Sequence, residues 1–183
     1  MSENHIIEHC SPTLAGIKTG SIFTCPYTSK NELLDFIRQL NRRLGRKGLR
    51  VIPLRFSDKK ALIYLYRPKL LTADLANATA AALLKQQGYD TDSCQHCVVQ
   101  LAKRLKSQGD FPHEIGLFLG YPPEDVCGFI QNGACGCKCV GCWKVYGDEV
   151  ASQKKFAQYK KCTRIYREQW QNGKAIERLT VAG

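Results

Sequence analysis

Hydrophobic residues recur at helical spacing in several stretches of the chain. In the clearest one, Ser29 opens the capping box S-K-N-E, and an apolar stripe follows at Leu33, Ile37, Leu40 and Leu44. Either Gly45 or Gly48 can end this helix in the left-handed conformation. Similar patterns predict helices over residues 72–87, 93–107 (closed by Gly109), 122–132 and 149–171.

Other apolar runs are typical of strands. The runs 49–54 and 61–66 predict a β-hairpin, and 143–146 and 174–182 predict a short strand and a closing strand. Residues 1–28 contain Pro12, Gly16, Gly20 and Pro26, which predict an extended or loop segment. Helices and strands are interspersed and the hairpin is early, so we predict an α+β fold. We expect one compact domain over residues 1–183, in which a small mixed or antiparallel sheet packs with about five helices.

Composition excludes some classes of protein. The first residues are MSENHIIEHC, without the apolar run of a secretory signal. No segment approaches the ~18 consecutive apolar residues of a membrane span. We therefore expect a cytoplasmic protein, without membrane association, whose 10 cysteines are mostly reduced.

The net charge of +11 is unevenly distributed. Residues 38–69 contain eleven Lys or Arg residues and one acid, Asp58. Such a field attracts anions, so the candidate partners are nucleic acid, an acidic redox partner and a small anionic ligand. No recognised nucleic-acid module is present, although Tyr64 and Tyr66 alternate on a predicted strand and are compatible either with base stacking or with packing.

Cysteines are densest in a glycine-rich loop at 133–142. The thiols of Cys135, Cys137, Cys139 and Cys142 have the spacing C-x-C-x-C-x2-C, which can surround zinc or an iron–sulfur cluster. Cys94 and Cys97, with His96 between them, are possible further ligands. The other interpretation is a loop of free thiols.

Two further pairs of residues carry possible chemistry. Cys10 is a candidate nucleophile or ligand, with His9 as proton carrier and Lys18 as the contact for an anion. His113 and Glu114 are candidates for general acid/base catalysis. In both pairs the alternative is packing or capping. No P-loop, G-x-G-x-x-G, H-E-x-x-H or G-x-S-x-G motif is present.

Several strings resemble a bacterial family that is catalogued only as a domain of unknown function, number thirty-seven ninety-three. They are H-C-x-P-T-L-A-G-x-K from His9, Y-R-P from Tyr66, F-P-H-E-I-G-L-F-L-G-Y-P from Phe111, D-V-x-G-F-I from Asp125, and W-K-V-Y from Trp143. The resemblance implies a compact single domain found chiefly in anaerobic bacteria. It brings no established reaction, cofactor or catalytic residue.

Two function hypotheses follow from these observations. The first is a cytoplasmic thiol redox or metal-binding protein whose site joins the Cys10 segment to the His113 segment. The second is a basic binding module for nucleic acid or an acidic partner protein, without catalysis. The sequence leaves open whether the protein is an enzyme.

Overall fold

The computed structural model describes residues 1–107 and 111–183, so the expected closure of a helix at Gly109 lies outside the described residues. The described α-helices are α1 (Glu3–Leu14), α2 (Lys30–Leu44), α3 (Pro68–Leu75), α4 (Ala78–Gln86), α5 (Cys94–Arg104), α6 (Ile115–Phe118), α7 (Pro123–Asn132), α8 (Glu149–Gln171) and α9 (Ile176–Leu179). The described strands are β1 (Gly20–Pro26), β2 (Arg50–Ser57), β3 (Lys60–Tyr66), β4 (Cys139–Val140) and β5 (Lys144–Val145). This content confirms the α+β class. None of the described helices is long and apolar enough to cross a bilayer.

The described residues fall into two compact units. The first unit combines residues 1–70 with 159–183, and the second consists of residues 71–158. The expectation of one domain over the whole chain stays a prediction.

The first unit is built on a three-stranded antiparallel sheet of order β1-β3-β2. The predicted hairpin is confirmed as β2 and β3, and Lys59 in its turn has a φ of 55°. Helix α1 contacts β1 and β3, and α2 contacts β2. The core between these elements includes Ile7, Leu40 and Ile63, which have no exposed surface.

The N-terminal segment differs from the prediction of a loop. Residues 3–14 form α1 and residues 20–26 form β1. Pro12 normally ends a helix because its ring lacks an N–H and crowds the preceding turn. Here α1 continues for two residues beyond Pro12, and it buries Ile6, Ile7 and Leu14.

Three other elements can be compared with their predictions. The capping box is confirmed, since the Ser29 hydroxyl accepts a hydrogen bond from the backbone N–H of Glu32. The single helix expected over 72–87 is two helices, because the Asn77 side chain caps a new helix at Thr79 and Ala80. The closing strand expected over 174–182 is wrong, because residues 176–179 form α9.

The second unit contains α4 to α7, the two-stranded hairpin β4–β5 and the beginning of α8. Helices α4 and α6 both contact α7, and α7 contacts β5. The hairpin lies so close to α7 that a Cβ atom at Gly128 would overlap the ring of Tyr146. Glycine at this position therefore allows the helix and the hairpin to meet.

Candidate functional site

Cys10, the candidate nucleophile, lies inside α1 with no exposed surface. Burial raises its pKa from the usual 9.0 to about 12, although the charge of Lys18 and a hydrogen bond with Ser21 act in the opposite direction. The thiol is therefore protonated at neutral pH, and a protonated thiol is a weak nucleophile. Its neighbour His9 is exposed and stacks on Phe23, with ring centroids 5.4 Å apart.

Glu114, a candidate acid/base residue, is a buried carboxylate of the second unit that pairs with a partly exposed arginine. One of its oxygens accepts a hydrogen bond from the Tyr89 hydroxyl at 2.9 Å and lies 3.0 Å from Nε of Arg104. Its side chain is 3% exposed. These contacts tie the loop after α4, helix α5 and the start of α6 together, which is the packing role that the sequence left open.

The four loop cysteines are accessible to different degrees. Cys135 and Cys142 are exposed, and Cys137 and Cys139 are half-buried. In residues 1–107 and 111–183, no group of three or more His, Cys, Asp or Glu side chains is arranged to hold a metal ion. Binding of zinc or an iron–sulfur cluster by this loop stays a prediction.

His113 lies at a pocket of about 200 Å³ in the second unit, which we name the His113 pocket. Most of its wall is apolar, and it is lined by Ile115, Gly116, Tyr121, Asp125, Val126, Phe129, Trp143 and Lys144 in addition to His113. The imidazole of His113 is exposed and meets the Phe129 ring edge-on, with 4.9 Å between the ring centroids. The ammonium group of Lys144 lies 5.4 Å from the centre of the same ring.

Asp125 fixes the wall of this pocket. Its carboxylate is 2% exposed and lies in the first turn of α7. One oxygen accepts a hydrogen bond from the indole N–H of Trp143, and the other accepts from the backbone N–H groups of Tyr146 and Gly147, all at 2.7 Å. Because hydrogen bonds to a buried charge are strong, this carboxylate sets the position of the hairpin against α7.

Aromatic rings complete the wall around Trp143. Tyr121 stacks on the indole at 4.7 Å, and Phe156 meets it edge-on at 4.5 Å. Gly116 lies behind Tyr121, where a Cβ atom would come within 2.8 Å of Val126 and 3.1 Å of Tyr121. The lining of the pocket thus combines aromatic side chains with one lysine and one histidine.

A family model described as "Protein of unknown function (DUF3793)" matches residues 6–180. The chain belongs to the DUF3793 family. No curated protein and no solved structure matches this DUF3793 member.

The predicted site residues of this DUF3793 member fall in both units. His9, Cys10 and Lys18 belong to the first unit, whereas His113, Glu114 and the loop cysteines belong to the second. The pocket residues Asp125, Phe129 and Lys144 are not among the site residues predicted from the sequence. The sequence signal for this pocket is an aspartate in the first turn of a predicted helix, followed by a tryptophan. A buried tryptophan needs a hydrogen-bond acceptor for its indole N–H, and the aspartate can supply it.

Proposed function

We propose that the second unit binds a small aromatic carboxylate in the His113 pocket. The observation that carries this proposal is an apolar cavity with a lysine ammonium beside its aromatic wall. Ligand sites in proteins combine these features, because apolar walls supply most of the binding free energy and a few polar groups fix the orientation of the ligand.

The size and shape of the pocket favour a single ring. An apolar cavity of roughly 150 Å³ accepts benzene, and the His113 pocket measures about 200 Å³. The remaining volume suits a carboxylate group at the opening. Phe129 and Trp143 in the lining of the pocket favour an aromatic ligand, since aromatic rings make favourable offset or edge-on contacts with other rings.

The charges of the pocket favour an anion. Both oxygens of Asp125 are already engaged by three N–H donors, so its carboxylate is satisfied within the wall of the pocket. Lys144 is half-buried and can reach a carboxylate at the opening, where His113 offers a second hydrogen-bonding group. A small anionic ligand is also one of the partners expected from the net charge of +11.

All lining residues of the pocket come from three of the strings that carry the family resemblance. Four lie in F-P-H-E-I-G-L-F-L-G-Y-P, three in D-V-x-G-F-I and two in W-K-V-Y. This origin supports a role for the pocket itself, beyond the packing of α7 against the hairpin.

The test compares benzoate with its neutral analogue benzyl alcohol, using ligand-observed NMR on the full chain. We expect saturable benzoate binding on the order of millimolar. Lys144→Met keeps the apolar stem and removes the charge, so it should weaken benzoate binding roughly tenfold and leave benzyl alcohol binding unchanged.

The matched control is Lys154→Met, which removes the same charge from an exposed position on α8. Benzoate binding that is unaffected by Lys144→Met, or equally affected by both variants, would show that the anion does not occupy this pocket. Absence of saturable binding of both compounds to the wild-type protein would overturn the proposal.

A further inference from the structure

Two cysteines at the start of α5 are not part of the His113 pocket. Cys94 is the first residue of this 11-residue helix, and Cys97 lies three residues later. Residues three apart in an α-helix lie on the same side, with Cα atoms about 5 Å apart. Disulfides join Cα atoms that are roughly 4.4–6.8 Å apart, so the Cα separation of this pair fits a disulfide. The Cβ atoms of residues three apart lie about 5–6 Å apart on a regular helix, so they have to approach to roughly 3.5–4.5 Å for the bond to form.

The position of Cys94 leaves its backbone adjustable. The first N–H groups of a helix have no partner within the helix, so the first turn can shift without breaking the remaining hydrogen bonds. Ser93 caps this helix by accepting a hydrogen bond from the N–H of Gln95. The backbone N–H of Cys97 also donates to the carbonyl of Ser93 at 3.1 Å, so disulfide geometry at Cys94 requires a shift of its own backbone between these two contacts.

The two thiols differ in their surroundings. Cys94 is half-buried, and burial raises the pKa of its thiol, whereas Cys97 is 2% exposed. The thiol of Cys97 donates a hydrogen bond to the backbone carbonyl of Asp90 at 3.2 Å. Cys94 is therefore the thiol that a reagent in solution meets first, and Cys97 is a protected thiol beside it.

We propose that Cys94 and Cys97 form a reversible dithiol–disulfide pair that exchanges with low-molecular-weight disulfides such as glutathione disulfide. The proposal is independent of ligand binding in the His113 pocket. It gives the thiol redox hypothesis a defined pair of sulfur atoms.

The exchange proceeds in two balanced steps. The Cys94 thiolate attacks one sulfur of glutathione disulfide, which breaks the S–S bond and releases one glutathione that takes up the proton from Cys94. Cys97 then attacks the Cys94 sulfur of the mixed disulfide, and its proton leaves with the second glutathione. Two protein thiols are oxidised, and one glutathione disulfide is reduced to two thiols.

Oxidation also changes a contact within the second unit. The hydrogen bond from Cys97 to the Asp90 carbonyl is lost, because the disulfide has no S–H to donate. The contact between the His96 imidazole and the Asp90 carboxylate, at 3.1 Å, does not involve either sulfur.

The experiment exposes the full chain to glutathione redox buffers, blocks free thiols with iodoacetamide and digests the protein with trypsin. Cleavage after Lys85 and Lys103 releases residues 86–103, which contain Cys94 and Cys97 and no other cysteine. We expect the mass of this peptide to fall by two hydrogen atoms on oxidation. The buffer potential at which half of the peptide is oxidised should be the same whether the protein starts oxidised or reduced.

Two variants test the order of the steps. Cys97→Ser should stop at a mixed disulfide of Cys94 with glutathione. Cys94→Ser should leave Cys97 reduced, with modification at least about tenfold slower because of its burial. Cys162→Ser, a half-buried cysteine of α8, is the matched control and should leave the oxidation of residues 86–103 unchanged.

The wild-type result decides the proposal even where a variant fails to fold. If iodoacetamide labels both Cys94 and Cys97 in a buffer that oxidises the loop cysteines, both thiols have stayed reduced, and the proposal is overturned. Two mixed disulfides without an internal disulfide would overturn it as well.

Discussion

At the scale of single residues, burial decides which cysteines can react. Cys10 and Cys25 are buried in the first unit, and burial raises the pKa of both thiols. Cys135 and Cys142 are exposed in the second unit. Sequence spacing alone does not report this difference, because a cysteine serves equally well as a small hydrophobic residue and as a nucleophile.

Cys10→Ala should destabilise the protein by about 1–2 kcal/mol at pH 7, because it removes a buried side chain from the core. The cost should shrink at higher pH. The unfolded thiol ionises near 9.0 and the folded one near about 12, so the stability that the wild-type thiol contributes is full below pH 9 and falls as the pH rises above it. At pH 10 the difference between wild type and variant should be about 1.4 kcal/mol smaller than at pH 7, as measured by urea unfolding.

The reactivity of the same thiol supplies the control. In the native protein Cys10→Ala should leave the number of thiols that react rapidly with Ellman's reagent unchanged, whereas Cys135→Ala should reduce it by one. A cost that stays constant from pH 7 to pH 10, or the loss of a rapidly reacting thiol in Cys10→Ala, would contradict the description of Cys10 as a buried neutral thiol.

At the scale of elements, a hydrophobic pattern with the period of a helix is what predicts secondary structure best in this sequence. Helix α8 begins and ends at the predicted residues, and α2 begins at its capping box. The prediction failed at α1, where Pro12 hides a helical stripe formed by Ile6, Ile7 and Cys10. It also failed at α9, because a four-residue helix is too short to show a period.

The candidate site is harder to predict than the elements, because its residues meet only through packing. Asp125 lies 18 residues from Trp143, and its carboxylate joins a helix to a hairpin. Glu114 shows the converse case. Its place beside His113 is compatible with acid/base catalysis or with packing, and in the structure it pairs with Arg104 and Tyr89.

Asp125→Ala should cost about 2–4 kcal/mol of unfolding free energy, because one buried and two partly buried N–H donors lose a charged acceptor. It should also release Trp143 toward water, which shifts the tryptophan emission to longer wavelength in a Trp170→Phe background. Glu124→Ala is the matched control, since Glu124 is an exposed acid in the same first turn of α7. Equal costs for the two variants would show that the proximity of acids to the helix N-terminus, and not the hydrogen bonds of Asp125, is what stabilises α7.

At the scale of the whole molecule, the net charge bears on the partners of the protein, and the C-terminal residues bear on its stability. The net charge of +11 attracts anions such as nucleic acid. Tyr64 has no exposed surface and Tyr66 is 8% exposed, so both rings pack inside the protein instead of stacking on bases. The nucleic-acid hypothesis therefore rests on charge alone, and charge alone gives binding without sequence preference that weakens steeply with salt. The C-terminal end of α1 and residue Val181, in contrast, meet in the first unit around one buried cation.

Arg67 is that cation, and it is 3% exposed. Its guanidinium donates hydrogen bonds to the carbonyls of Thr13 at 2.7 Å, Leu14 at 2.8 Å and Val181 at 2.7 Å. The backbone N–H of Val181 also donates to the carbonyl of Leu14 at 3.0 Å. One side chain thus joins the C-terminal end of α1 to the end of the chain.

Arg67→Lys should destabilise the protein by about 2–4 kcal/mol in urea unfolding, because an ammonium group cannot reproduce the planar fork of donors. Arg50→Lys, at an exposed position of β2, should have an effect within about 0.5 kcal/mol of zero. Deletion of residues 181–183 should also destabilise the wild-type protein, but its cost should be smaller in the Arg67→Lys background, where the contact is already weakened. Strictly additive costs would mean that Arg67 and Val181 stabilise the first unit separately. The conclusion that the Arg67 guanidinium joins the C-terminal end of α1 to the end of the chain would then be wrong.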